Sequence, residues 1–299
     1  MKPEPFNRNI LYLIAGASII SFSGVYVKLV NVGPTVAGFY RTFIGAVFLL
    51  VLLVIKRERL WYGMNNFLIS TLCGLAFAVD LFCWHKSVLY IGPGLSTILA
   101  NFQVFFLAAF GFFILKERIG IKFLGSIILA VIGLFMIVGF KWGAFSDNYR
   151  LGIFLALITA GAYSSYILLL RLLQSKEKRL STTANLATVS IITSACLCLL
   201  SLIEGQSLII PDISSGAYLI TYGLMSQVVA WLLISKALPN VKTSLAGLIL
   251  LLQPALAFAW DILFFKRDIG IISGMGVLVA LAGIYFGTTR RKDSGIDNI

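Results

Sequence analysis

The sequence is poor in charge, histidine and cysteine, and each shortage excludes something. Only 12% of residues are charged, against about a quarter in an average soluble chain. A soluble helical or mixed fold of this size would alternate apolar stripes with charged faces, and the residues for those faces are missing. There is one histidine, His85, and a metal site cannot be built on it without partners. The four cysteines, Cys73, Cys83, Cys196 and Cys198, all fall inside apolar segments and read as small buried hydrophobes rather than disulfides or metal ligands. No Walker motif or glycine-rich phosphate loop is present, and the connections leave no room for a soluble nucleotide-hydrolysing domain. Scattered carboxylates without a convergent nucleophile argue against an enzyme, and no cofactor is expected. The net charge of +12 does not point to nucleic acid. The basic residues sit in short loops beside apolar segments, where anionic headgroups place them.

What the sequence has in abundance is apolar segments about twenty residues long, the length needed to cross a bilayer core of about 30 Å. Ten are expected, at 10–30, 35–55, 67–88, 94–115, 121–140, 151–172, 183–203, 215–235, 244–264 and 269–288. Turn chemistry at Val32-Gly33-Pro34, Gly92-Pro93-Gly94, Pro211-Asp212 and Pro239-Asn240 separates several of them. The N-terminus mimics a signal peptide, but its apolar run reaches Val27, and removing it would leave nine spans. With the N-terminus in the cytoplasm, seventeen Lys and Arg fall on the inner side and six on the outer; Arg41 lies within a span. The positive-inside rule then puts both ends in the cytoplasm. Such short loops and a basic inner face fit a bacterial inner membrane.

An offset of 150 residues aligns the chain with itself. Lys86 meets Lys236, Gln103 meets Gln253, Lys116 meets Lys266, and Ile119-Gly120-Ile121 meets Ile269-Gly270-Ile271; Ala130 meets Ala280 and Gly133 meets Gly283. Each half, 1–142 and 143–299, holds five spans. Five is odd, so the second half inserts in the opposite sense, the inverted repeat of many secondary transporters. The fold class expected is an all-α membrane protein of ten transmembrane helices in two inverted five-helix repeats.

These features resemble the EamA-type members of the drug/metabolite transporter superfamily. The carriers of the resemblance are Leu115-Lys116-Glu117-Arg118-Ile119 with Leu124-Gly125 and Gly133, and Gln253-Pro254 with Lys266-Arg267-Asp268-Ile269 and Gly283. Phe39-Tyr40-Arg41 in the second span adds to it. The first span departs from the family pattern, with Ser21-Phe22-Ser23-Gly24 in place of a central tryptophan, and Gln253 stands where relatives often carry Glu. The resemblance implies efflux or exchange of a small metabolite, often an amino acid. It also implies that the first, second, third, sixth and eighth spans line the cavity, which singles out Tyr26, Tyr40, Trp84, Tyr163, Tyr166, Gln227 and Trp231.

Ionisable groups at membrane depth are functional candidates by default. Asp80 and Arg41 lie about 9–12 Å below the outer ends of their spans at 1.5 Å per residue. They read either as a structural ion pair or as a substrate or proton site. Asn101, Gln103 and Gln253 sit mid-span, and their amides suit a polar or zwitterionic ligand or act as interhelical glue. His85 and Lys86 are expected at the outer interface, Asp261 and Glu204 near outer span ends. The glycines of the fifth and tenth spans read as packing surfaces. The expected partners are the bilayer, a small-molecule substrate, and protons or a counter-substrate as the energy source. The assembly is a monomer or homodimer. The function expected is alternating-access transport of an amino acid or related zwitterion. A facilitator-like pore and a carrier of a nucleoside-like metabolite such as S-adenosylmethionine are the alternatives.

Overall fold

The computed structural model describes residues 8–117, 119–138, 146–175, 181–265 and 270–288. Among them every regular element is helical. The helices are α1 Arg8–Ile20, α2 Ser23–Leu29, α3 Pro34–Lys56, α4 Met64–Ala100, α5 Gln103–Phe113, α6 Ile121–Val138 and α7 Asp147–Ser175. They continue with α8 Thr182–Ile203, α9 Ile213–Tyr222, α10 Ala230–Ala237, α11 Thr243–Leu250, α12 Leu252–Phe265 and α13 Ile271–Thr288. A π-helical stretch, Gly223–Val229, joins α9 to α10. Seven helical runs are long and apolar enough to cross a membrane; Gln103–Phe113, Ile121–Met136 and Gly274–Gly287 are shorter apolar helices. The second-repeat motif 266–269, Arg118, and the flanking basic residues at 2, 141, 176–179 and 290–292 lie outside the described residues.

Local chemistry explains the helix ends. Pro34 opens α3, where its missing N–H is not needed. Ser181 and Asp212 cap α8 and α9, accepting from the amides of Ala184 at 3.1 Å and Ser215 at 2.7 Å. Nothing in the adjacent sequence caps α11. Glu117 does so from the far half of the chain, its carboxylate accepting from the amides of Thr243 at 2.7 Å and Ser244 at 3.2 Å and from the Ser244 hydroxyl at 2.7 Å.

Apolar side chains cover the outside as well as filling the core, and many small polar ones are buried. Val54, Ile55, Ile203 and Ile271 are more than two-thirds exposed, while Thr42, Ser70, Ser87, Thr193 and Ser201 are fully buried. With lipid outside there is no gain in hiding apolar groups, and the polar ones seek partners within the bundle. Ser87, for example, donates to the Gly152 carbonyl at 2.8 Å, and Thr193 to that of Gly74 at 2.9 Å.

These cross-helix bonds fix the sense of each helix. Thr35–Glu204 and Lys56–Thr183 make α3 and α8 antiparallel. Asn66–Asn185 and Thr193–Gly74 make α4 and α8 parallel. Cys73–Tyr166 and Ser87–Gly152 make the first part of α4 antiparallel to α7. Helical backbone conformation continues in α4 through Gly92-Pro93-Gly94, where two separate spans were expected. Yet Ser164, 12 residues beyond Gly152 and so about 18 Å along α7, donates to the carbonyl of Gln103. A straight extension of α4 would pass beyond the start of α7, so the chain doubles back between Ser87 and Gln103. The interruption falls at Asn101-Phe102 instead, and a matching one occurs at Leu251.

Gly133 and Gly283 hold a close helix crossing. A Cβ on Gly133 would lie 2.3 Å from the Ala280 nitrogen and 2.6 Å from the Gly276 carbonyl; one on Gly283 would lie 2.6 Å from the Ala130 nitrogen and 2.8 Å from the Ser126 carbonyl. The two sets of contacts are reciprocal under the 150-residue offset, and their order makes α6 and α13 antiparallel. Gly120, Gly125 and Gly270, also expected as packing glycines, face open space.

Candidate functional site

Three helix interruptions, at Ser21-Phe22, Asn101-Phe102 and Leu251, fall close to one central cavity. At each, a tight bond to the third residue back replaces the ordinary helical one, as from Phe22 to Ile19, Phe102 to Leu99 and Leu251 to Leu248. Irregular backbone at membrane depth is tolerated where it is buried in protein or lines a cavity. The cavity has a volume of about 290 Å³. The α1–α2 break supplies Ser21, Ser23 and Lys28. Arg41 comes from α3; Phe77, Asp80, Trp84 and His85 come from one face of α4. Thr159 and Tyr163 come from α7, Tyr222 from α9, Trp231 from α10, and Gln253 and Phe258 from α12.

Arg41 is 4% exposed. It donates to the Tyr222 hydroxyl at 3.3 Å, and its guanidinium lies 5.2 Å from the Tyr222 ring centre and 5.6 Å from that of Phe77. Two π faces thus stabilise the cation. Asp80 is also on the wall, but it makes no ion pair with Arg41. Nearby, Lys86 pairs instead with Glu204, which also accepts from Thr35 and Gln206. An acidic and a basic side chain therefore face the same small space without a direct ion pair.

Phe77, Tyr166 and Trp231 form an aromatic floor. Phe77 stacks on Tyr166 at 4.2 Å, and Trp231 meets Tyr166 edge-on at 4.7 Å. All three are at most 1% exposed. The Trp231 Nε1, Thr159 Oγ1 and Arg41 Nε atoms are buried without a hydrogen-bond partner, and all three residues line the cavity. Orphaned buried polar atoms are uncommon, and at a cavity they are positions for a ligand to satisfy.

Of the residues singled out in the sequence, Arg41, Asp80, Trp84, Asn101, Tyr163, Trp231 and Gln253 line the cavity. Gln253 donates to the Tyr163 hydroxyl at 3.1 Å, and Asn101 donates to the Thr97 carbonyl at 2.8 Å, within its own helix break. The other five lie behind or beside the wall. Tyr26 stacks on Tyr222 at 5.3 Å. Tyr40 donates to the Leu208 carbonyl at 2.5 Å. Tyr166 is in the floor beneath Phe77. Gln227 donates to Ser190 at 2.9 Å. Gln103 is fully buried with both amide atoms unpartnered. The offset mates Gln103 and Gln253 thus take different places, because rotation about the helix axis sends one away from the cavity.

Sequence reasoning overlooked Phe77, Thr159 and Tyr222 and set His85 at the interface, whereas it is 2% exposed on the cavity wall. Phe77 is one of 23 phenylalanines and carried no distinguishing signal. The α4 positions 77, 81, 84 and 88 follow helical spacing along the wall, and Asp80 and His85 flank that stripe on its two sides.

A family model described as the EamA-like transporter family matches residues 7–139 and again 150–289. A solved structure described only as "Crystal structure of protein" is 15% identical, with a TM-score of 0.81 over 94% of this chain and 98% of that chain. At that identity the likeness is one of fold. No curated protein matches the chain. With two family matches spanning most of its length and a small cavity among its apolar helices, the chain belongs to the EamA-like transporter family, multi-pass membrane proteins that carry small solutes.

Proposed function

We propose that this protein is a secondary transporter that moves a small zwitterion of the amino-acid class by alternating access. The observation that carries the proposal is the pair Arg41 and Asp80, which line one cavity and do not pair with each other. Desolvated charges are costly unless neutralised. A zwitterion neutralises both at once, its carboxylate at Arg41 and its ammonium at Asp80. A multiply charged phosphate would leave Asp80 repelling it. The volume of about 290 Å³ is at the lower edge of ordinary ligand sites, about 300–1,000 Å³, and suits a small metabolite.

The helix senses support ten passes in two inverted units, 1–142 and 143–299. α3 runs parallel to the α9–α10 segment through Arg41–Tyr222 and Gly45–Gln227, and α1–α2 runs antiparallel to it through Gly16–Ile234 and Ser23–Ser226, which leaves α1 opposed to α7. The pairs α3 and α8, α5 and α11 (through Leu107–Gly247 and Glu117–Thr243), and α6 and α13 are opposed directly. Two like halves of opposite sense can exchange conformations and reach inward-open and outward-open states of similar energy. With both termini in the cytoplasm of a bacterial inner membrane, Lys28, Pro34 and Val88 lie on the outward side of the cavity wall and the aromatic floor on its inward side. That buried floor favours a carrier over a continuous pore.

Uptake into proteoliposomes of labelled neutral amino acids, sugar phosphates and S-adenosylmethionine tests the reading. Amino-acid transport that Arg41→Gln and Asp80→Asn each abolish is expected. Strong transport of a sugar phosphate with none of amino acids would refute it. Repeating the assay across a pH gradient separates proton coupling from exchange; a gradient dependence unchanged in Asp80→Asn removes Asp80 from coupling.

A further inference from the structure

His85 is on the cavity wall but has no part in the reading above. Its Nδ1 lies 2.6 Å from the Leu81 carbonyl oxygen. A carbonyl has no proton to give, so Nδ1 carries the hydrogen and donates, and in the neutral ring Nε2 is then an acceptor. Nε2 is buried and unpartnered. The ring is held on two more sides. A Cβ on Gly38 would lie 3.2 Å from its Cε1, and Trp84 meets it edge-on at 5.0 Å. The residue is therefore packed in place, with one acceptor unused.

On the cavity wall α4 contributes two groups that can accept hydrogen bonds, the Asp80 carboxylate and His85 Nε2, and His85 Nε2 is unpartnered. The unpartnered Arg41 Nε and Trp231 indole N–H come from α3 and α10, and the unpartnered Thr159 hydroxyl from α7. We propose that His85 Nε2 and Asp80 together receive a primary ammonium group, which makes His85 a determinant of selectivity for substrates with free N–H. This rests on the zwitterion reading and extends it. An ammonium brings three donors, and one carboxylate leaves at least one of them for a second acceptor. A quaternary ammonium brings none and would leave Nε2 buried and unpaired.

The test compares transport of an amino acid accepted by the wild-type protein with transport of its N,N,N-trimethyl derivative, in proteoliposomes. The wild type should favour the free amine by about tenfold or more, the ratio that one well-made hydrogen bond to a charged donor supplies. His85→Leu should reduce that preference to about twofold. His85→Gln, whose side-chain oxygen reaches the region of Nε2, should retain most of it. Equal transport of the two compounds by the wild type would overturn the proposal without recourse to any variant. So would a His85→Leu protein that transports and keeps the wild-type preference. Failure of the wild type to move any amino acid would refute the zwitterion reading itself, and is recognisable as such because no ratio could then be measured.

Discussion

Replacing Gly133 by alanine adds one methyl group at a helix crossing where backbone meets backbone. Its Cβ would lie 2.3 Å from the Ala280 nitrogen, 2.6 Å from the Gly276 oxygen and 2.8 Å from the Ala280 Cα, where ordinary contact begins at 3.4 Å. All three atoms are backbone, so no side chain can turn aside, and α6 and α13 must separate by about 1 Å. Attraction between membrane helices comes largely from close packing, and overfilling such a contact costs about 1–3 kcal/mol. At about 2–4 °C per kcal/mol for a chain of this order, the purified protein should unfold about 2–12 °C lower. Gly283→Ala meets backbone at 2.6–2.9 Å and should cost somewhat less. The double variant should cost less than the two singles together, because one separation relieves both clashes. Gly125→Ala, on the same helix but facing open space, should be neutral or slightly stabilising. Thermal unfolding in detergent, followed by the loss of the monodisperse peak, reads all four. Gly125→Ala as damaging as Gly133→Ala, or full additivity of the two crossing variants, would rule out a shared backbone clash at this crossing.

The Glu117 cap and the Arg41 clamp give further tests. Glu117→Ala removes the acceptor for two amides and a hydroxyl at the start of α11 and should cost about 1–2 kcal/mol. Faster hydrogen exchange at the Thr243 and Ser244 amides, with α8 unaffected, would locate the loss, and unchanged exchange would exclude the cap. Tyr222→Phe removes the hydroxyl partner of Arg41 but keeps the ring beneath it; substrate affinity should fall about three- to tenfold. Tyr222→Leu removes both and should fall further. Equal losses in the two variants, measured by binding of labelled substrate, would show that the hydroxyl alone holds Arg41.

Asp80 and Arg41 were conspicuous in the sequence because charge inside an apolar span is rare and expensive. The Gly133–Gly283 and Ala130–Ala280 matches at constant offset likewise reappear as one reciprocal contact. The distinction between Gln253 on the wall and Gln103 behind it was not legible. Nor was the selection of Phe77 from so many phenylalanines. A soluble helix announces its inward face by hydrophobic contrast, but a helix in lipid is apolar on both sides and carries little such contrast.

The number of long apolar segments, the likeness of the two halves and the identity of the buried charges are properties of the chain alone. They follow from bilayer thickness, residue spacing and the energy of burying an ion. The rotation of each helix, the breaks at Asn101-Phe102 and Leu251, and the separation of Arg41 from Asp80 were decided by packing. These depend on which partner each polar atom finds across the bundle, and those partners are far apart in sequence.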